Sequence, residues 1–134
     1  QMESSDDIIR RRCGIWDKYH EALGSGERQR VFRRPIVPAH CSHNGHMYYL
    51  ILKDLDARTR FISRLRESDI HAVFHYVPLH DSDAGKRYCR CSGSMEHTVE
   101  MSERLVRLPL WIGLEEYQES VLRKIVTALL GDAS

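Results

Sequence analysis

The sequence predicts an α+β domain, a small and mostly antiparallel sheet of about three strands with helices packed largely on one face. Three observations lead there. Apolar spacing along the 134 residues switches between helical and strand periods, reading helix, strand, helix, strand, loop and helix, short strand, helix. Residues 115–130 carry Tyr117, Val121, Leu122, Ile125, Val126 and Leu129 on one helical face, which must be buried against another layer. The run Ala72-Val-Phe-His-Tyr-Val77, rich in β-branched and aromatic residues and stopped by Pro78, reads as a buried strand. A chain of this length buries roughly two-thirds of its unfolded surface, so residues 1–134 are expected to fold as one domain without a metal or disulfide.

Each element has a local reason. Residues 6–23 place Ile8, Ile15, Tyr19 and Leu23 on one helical face, with Trp16 and Ala22 beside them and Asp6 or Asp7 as cap. Gly24-Ser-Gly26 is a stop signal. Residues 27–45, with Pro35 and Pro38, read as an irregular arm. Met47–Lys53 is a strand, and Asp54 or Asp56 caps a helix to about Ser68 whose face includes Phe61, Ile62 and Leu65. Residues 79–97 have little apolar content and read as a long loop, of a kind that is often functional. Thr98 caps a short helix that has Glu100 and Glu103 near its start. Residues 107–110 form a short edge strand, since Pro109 cannot donate to a central ladder. The last helix ends at Gly131.

Composition narrows the function classes. The formal charge is +1, which argues against nucleic-acid or membrane attraction. Positive charge comes from sixteen arginines and only four lysines. Arg10–Arg12 and Arg28–Arg34 form two basic clusters, either solvated surface or contacts to phosphate or a partner. No apolar run approaches the roughly 20 residues of a membrane span. The start, Gln1 to Asp7, is polar and does not resemble a signal peptide; Gln1 before Met2 reads as a piece of a larger protein. Cys13, Cys41, Cys89 and Cys91 are too sparse for a disulfide framework, so a reducing, cytoplasmic setting is expected.

Histidine and cysteine are frequent enough to raise zinc. His80, Cys89, Cys91 and His97 share one segment, and Cys41, His43 and His46 another. Cys89-Arg-Cys91 has one residue between its thiols, which is awkward for a shared tetrahedral ion, and no metal ligand is assigned. No cysteine has a nucleophile setting, and there is no phosphate loop or paired-carboxylate motif, so no catalytic residue is assigned either. His46, His75, Tyr76 and His80 remain. Any one histidine at a strand end is readily a structural residue, but two polar-aromatic strand ends are expected to share one pocket wall.

Five segments together carry a resemblance. They are Arg11-Arg-Cys-Gly-Ile-Trp-Asp-Lys-Tyr19, Asn44-Gly-His-Met-Tyr-Tyr49, Ala72-Val-Phe-His-Tyr-Val-Pro-Leu-His80, Ser102-Glu-Arg-Leu-Val-Arg-Leu-Pro-Leu110 and the final helix. In order and spacing the chain resembles the C-terminal domain of the DegT/DnrJ/StrS sugar aminotransferases over residues 8–130. The resemblance implies a dimeric, fold-type I parent dependent on pyridoxal 5'-phosphate (PLP). It implies amino transfer from glutamate to a dTDP-linked 4-keto-6-deoxyhexose. The family holds PLP on a lysine of a large N-terminal domain. Lys18, Lys53, Lys86 and Lys124 do not match that lysine, so the large domain is expected to be missing, this chain to bind no cofactor, and the chain alone to be inactive. His46 is implied as a nucleotide-sugar contact supported by Tyr48, with His75, Tyr76 and His80 as further substrate-facing residues. A stand-alone module that binds sugar nucleotides or a protein is the rival expectation, and a metal-binding module a third.

Overall fold

The computed structural model describes residues 2–28 and 31–131. Gln1 and Arg30 of the second basic cluster lie outside them. Helix α1 spans Ser5–Ala22, followed by a short α2 (Gly24–Arg28) and strand β1 (Phe32–Arg33). Strand β2 is Tyr48–Leu52, α3 is Leu55–Glu67 and β3 is Val73–Phe74. Then come α4 (Asp83–Tyr88), α5 (Glu96–Arg104), β4 (Leu105–Leu108) and α6 (Gln118–Leu130), with 3-10 turns at Met2–Ser4, Leu79–Asp81 and Leu114–Glu116. The strands form one antiparallel sheet in the order β1-β2-β4-β3. The α+β reading holds, with four strands in place of three.

Alternation along β2 and β4 turns Tyr48, Leu50, Leu52, Val106 and Leu108 into the core, where they join Ile15, Trp16, Tyr19 and Leu23 of α1, Phe61 and Leu65 of α3, and Ile125 and Leu129 of α6. Side chains tie the layers by donating to backbone carbonyls of neighbouring elements. Tyr19 donates to the Pro109 carbonyl at 2.9 Å. Buried Gln118 donates to the Ile15 carbonyl at 2.7 Å. Arg64 donates to the Ala128 and Gly131 carbonyls, both at 3.1 Å, which closes the end of α6.

Several sequence expectations are corrected. α1 ends at Ala22 ahead of Gly24-Ser-Gly26, as expected of a stop, but these residues then open α2 and do not begin a loop; a Cβ on Gly26 would sit 2.6 Å from the Phe32 ring. The irregular arm contains β1, paired Phe32 with Leu52 and Arg33 with Ile51. The Ala72–Val77 run is not a buried strand: only Ala72 is buried, while Val73 and Phe74 are half-exposed because β3 is an edge with one neighbour. β4 is central and not an edge, since Pro109 falls just past its last pair, Tyr48 with Leu108, and no ladder donor is lost. The 79–97 loop contains α4, capped where Gly85 N–H donates to Ser82 Oγ at 3.0 Å. α5 begins at Glu96 with Met95 in the cap position, so Thr98 lies inside it. Tyr117, expected on the buried face of the last helix, is 62% exposed because it caps α6 outside the packed stripe.

Candidate functional site

The segment before β2 is shaped by Gly45. Its φ is +58°, and a Cβ there would lie 2.7 Å from the backbone of Arg12 and Cys13. Only glycine lets this turn rest directly on α1. Asn44 Oδ1 accepts from the His46 backbone N–H at 3.2 Å, leaving His46 exposed at the mouth of β2. His46 is therefore accessible to a ligand.

Tyr48 is not. It is 0% exposed and stacks on Tyr19 at 5.2 Å, with the edge of Trp16 also at 5.2 Å. Its hydroxyl lies 3.5 Å from His20 Nδ1. Burial pushes its phenol well above the ordinary tyrosine range. Tyr48 engages these rings and not His46, so it acts on the site only by holding β2 in place.

Behind it lies a cluster that the sequence reading missed. Trp16 stacks on His20 at 4.6 Å and meets His43 at 4.5 Å. Arg34 donates to the His20 carbonyl at the end of α1 and pairs with Glu27 at 2.6 Å, while its backbone N–H donates to the same carboxylate at 2.8 Å. Burial, then the Arg34 charge, holds the His20 imidazole below its ordinary value. For Glu27, burial pushes upward, but the hydrogen bonds and charge of Arg34 outweigh it and the carboxyl stays low. The signal that could have found the cluster is the i, i+4 spacing of Trp16 and His20 on α1.

His75 and Tyr76 follow β3 and line a shallow cleft of about 590 Å³ against α5, with Leu79, His97, Met101 and Ser102. Their rings stand 4.8 Å apart. His75 Nδ1 is sealed from solvent with no hydrogen-bond partner among the described residues. His80, in the 3-10 turn, is half-buried and does not line this cleft. β2 and β3 both pair antiparallel with β4, so they run parallel to each other. His46 precedes β2 and His75 follows β3; they lie off opposite ends of the sheet. The expected shared wall is not built within this chain.

The lysines do not fit a cofactor. An amine that forms a Schiff base must be desolvated enough to lose its proton, yet all four lysines are exposed. Lys86 pairs with Asp81 at 2.7 Å, which raises its pKa through that hydrogen bond and charge. Lys124 donates to the Ser68 carbonyl at 2.8 Å. Among the described residues no group of three or more histidine, cysteine, aspartate or glutamate side chains is placed to hold a metal ion. Nor is any helix there long and apolar enough to cross a membrane.

The family model of the DegT/DnrJ/EryC1/StrS aminotransferases matches residues 1–128. The chain belongs to that family. Solved structures of similar fold include the aminotransferase TlmJ from Streptoalloteichus hindustanus, at TM-score 0.86 and 24% identity over 100% of this chain and 35% of that one. DesV from S. venezuelae, solved with a ketimine intermediate, has TM-score 0.81 and 22% identity over 99% and 34%. Spr1654 from Streptococcus pneumoniae in its PLP form has TM-score 0.73 and 20% identity over 96% and 33%. The chain thus spans about a third of the length of the solved structures it matches. Members of the family are PLP-dependent, and several act on sugars.

Proposed function

We propose that this chain is the C-terminal domain of a nucleotide-sugar transaminase, close in specificity to dTDP-4-amino-4,6-dideoxygalactose transaminase. The parent would move an amino group from glutamate to a dTDP-4-keto-6-deoxyhexose, with PLP carried by a lysine of a larger N-terminal domain. It would act as a cytoplasmic homodimer in cell-surface polysaccharide synthesis, on the route to lipopolysaccharide or enterobacterial common antigen. The observation that carries the reading is the family match over nearly the whole chain. The exposed lysines support the further point that this chain alone is inactive.

In this reading the chain supplies walls, not the reacting group. His46 is the first residue to meet the sugar nucleotide, since an exposed imidazole donates readily to a phosphate or hydroxyl oxygen. His75 and Tyr76 face substrate at the other end of the sheet, and His80 props their segment. The test has two arms. With one equivalent of PLP this chain should show no internal-aldimine absorbance band; a stoichiometric band that is lost on borohydride reduction and maps to one of Lys18, Lys53, Lys86 or Lys124 overturns the inactivity. In the parent enzyme, His46→Ala should raise the KM for the sugar nucleotide, and unchanged sugar kinetics remove His46 from the site.

The non-catalytic module remains the alternative because no described lysine suits PLP. Tight dTDP-sugar binding by this chain alone, with no amino transfer by any protein containing it, would favour that reading.

A further inference from the structure

The turn before β2 is held on α1 by three contacts, and held together by a fourth that depends on a proton. Cys13 Sγ donates to the His43 carbonyl at 3.5 Å. The Gly45 backbone rests where a Cβ would lie 2.7 Å from Arg12 and Cys13. The His43 ring meets Trp16 at 4.5 Å, and His20 stacks on the same indole at 4.6 Å. Inside the turn, the Gly45 N–H donates to His43 Nδ1 at 3.3 Å. The next amide, that of His46, donates to Asn44 Oδ1 at 3.2 Å.

A backbone N–H donates to an imidazole nitrogen only while that nitrogen carries no proton. The closed turn therefore requires neutral His43 with its proton on Nε2. A proton added at Nδ1 sets a donor against a donor. The ring keeps a reason to stay, because a cation lies well against indole. The bond to Gly45 keeps none, so protonation acts on the turn and not on the ring. The charged and titratable groups about this indole are Cys13, Asp17 and His20 on α1, Glu27 on α2, Arg34 after β1, Tyr48 on β2, and His40, Cys41 and His46 on the turn's own segment. Asp17 and Glu27 favour positive charge at His20, while Arg34 and His43 oppose it. Imidazole is the one ordinary side chain that changes charge between about pH 5 and pH 8.

We infer that His43 is a proton-operated latch on the Gly45–His46 turn. Neutral, it closes the turn through the Gly45 amide. Protonated, it releases that amide and frees His46 from its fixed place at the mouth of β2. The inference goes beyond the proposed function and rests on it only for what His46 meets.

The test uses this chain, with ring nitrogens and backbone amides followed by NMR from about pH 8 to pH 5. At the upper end His43 should be the Nε2–H tautomer; an Nδ1–H tautomer overturns the inference without any variant. As pH falls, the protection of the Gly45 amide against hydrogen exchange, corrected for the intrinsic rate, should drop about two- to tenfold in step with the His43 ring signal. His43→Asn keeps an acceptor near Nδ1 and removes the titration, so the drop should vanish. His43→Phe keeps a ring against Trp16 without an acceptor, and should show the low protection at every pH. Wild-type protection in His43→Phe at the upper end would overturn the latch, as would a drop that survives in His43→Asn. His20→Gln and His46→Gln should both leave the drop in place; its loss in either would assign the titration to that residue and overturn the role of His43. Failure here leaves the transaminase reading standing, and a working latch in a parent without amino transfer would sink that reading and leave the latch.

Discussion

Gly45→Ala tests the base of the candidate site. Two costs separate cleanly. A non-glycine residue at φ +58° costs about 1–2 kcal/mol from backbone sterics alone. The added Cβ would also lie 2.7 Å from the backbone of Arg12 and Cys13, inside a regular helix that cannot yield locally. Overpacking of that kind adds about 1–3 kcal/mol. The total is about 2–5 kcal/mol. Gly93 supplies the control, with φ +76° and nothing within 4 Å of where its Cβ would stand. Gly93→Ala should cost the backbone part only, about 1–2 kcal/mol. Gly14, in the middle of α1 with open space around it, should be stabilised by alanine by about 0.5–1 kcal/mol. Urea unfolding of the three variants measures all of this. The His46 backbone amide should shift in Gly45→Ala and not in the other two. Equal losses for Gly45→Ala and Gly93→Ala would refute the argument that contact with α1 sets this turn.

Three further outcomes follow from the geometry. Because burial and Arg34 lower the folded pKa of His20, the unfolded chain takes up its proton first. Stability should be full above the ordinary value of 6.5 and fall as pH drops from there through the lower folded value; urea midpoints across that range should show the slope, and His20→Gln should flatten it. Tyr19→Phe removes the bond to the Pro109 carbonyl and should cost about 0.5–1.5 kcal/mol by urea unfolding, with little change in fold. Cys41, Cys89 and Cys91 are exposed and should react quickly with a thiol reagent. Cys13, half-buried, its thiol pushed up first by burial and then by Asp17, and directed at the His43 carbonyl at 3.5 Å, should react last, and a fast fourth thiol would contradict its placement.

Long periodic elements were legible because many residues agree on one face. α1 and α6 lie within two or three residues of where apolar spacing puts them. Short elements were not. β1 has two residues between a glycine-containing turn and two prolines, and it exists because β2 offers it an edge, which is a tertiary fact. Pro109 misled for a related reason: proline forbids a donor at its own position, and says nothing of the four residues before it. The helix in the 79–97 segment rests on one serine cap and a glycine at close quarters. A Cβ on Gly85 would collide with the Leu79 carbonyl oxygen, a contact invisible without coordinates.

The same limit explains the site. Tyr48 and Tyr49 are adjacent, so a strand through them must turn one ring inward and one outward. Nothing in the pair decides which; a one-residue slip would exchange them. The decision comes from α1, where Trp16, Tyr19 and His20 present rings that receive Tyr48, and from β4, which sets Leu108 opposite it. Once Tyr48 is inward, Tyr49 and its partner Arg107 must be outward together. The core contacts of α1 therefore determine which tyrosine stands beside Arg107 on the far face of the sheet. A variant that loosens the Trp16 stack should disturb the Tyr49 and Arg107 resonances, although α1 lies against the opposite face of the sheet.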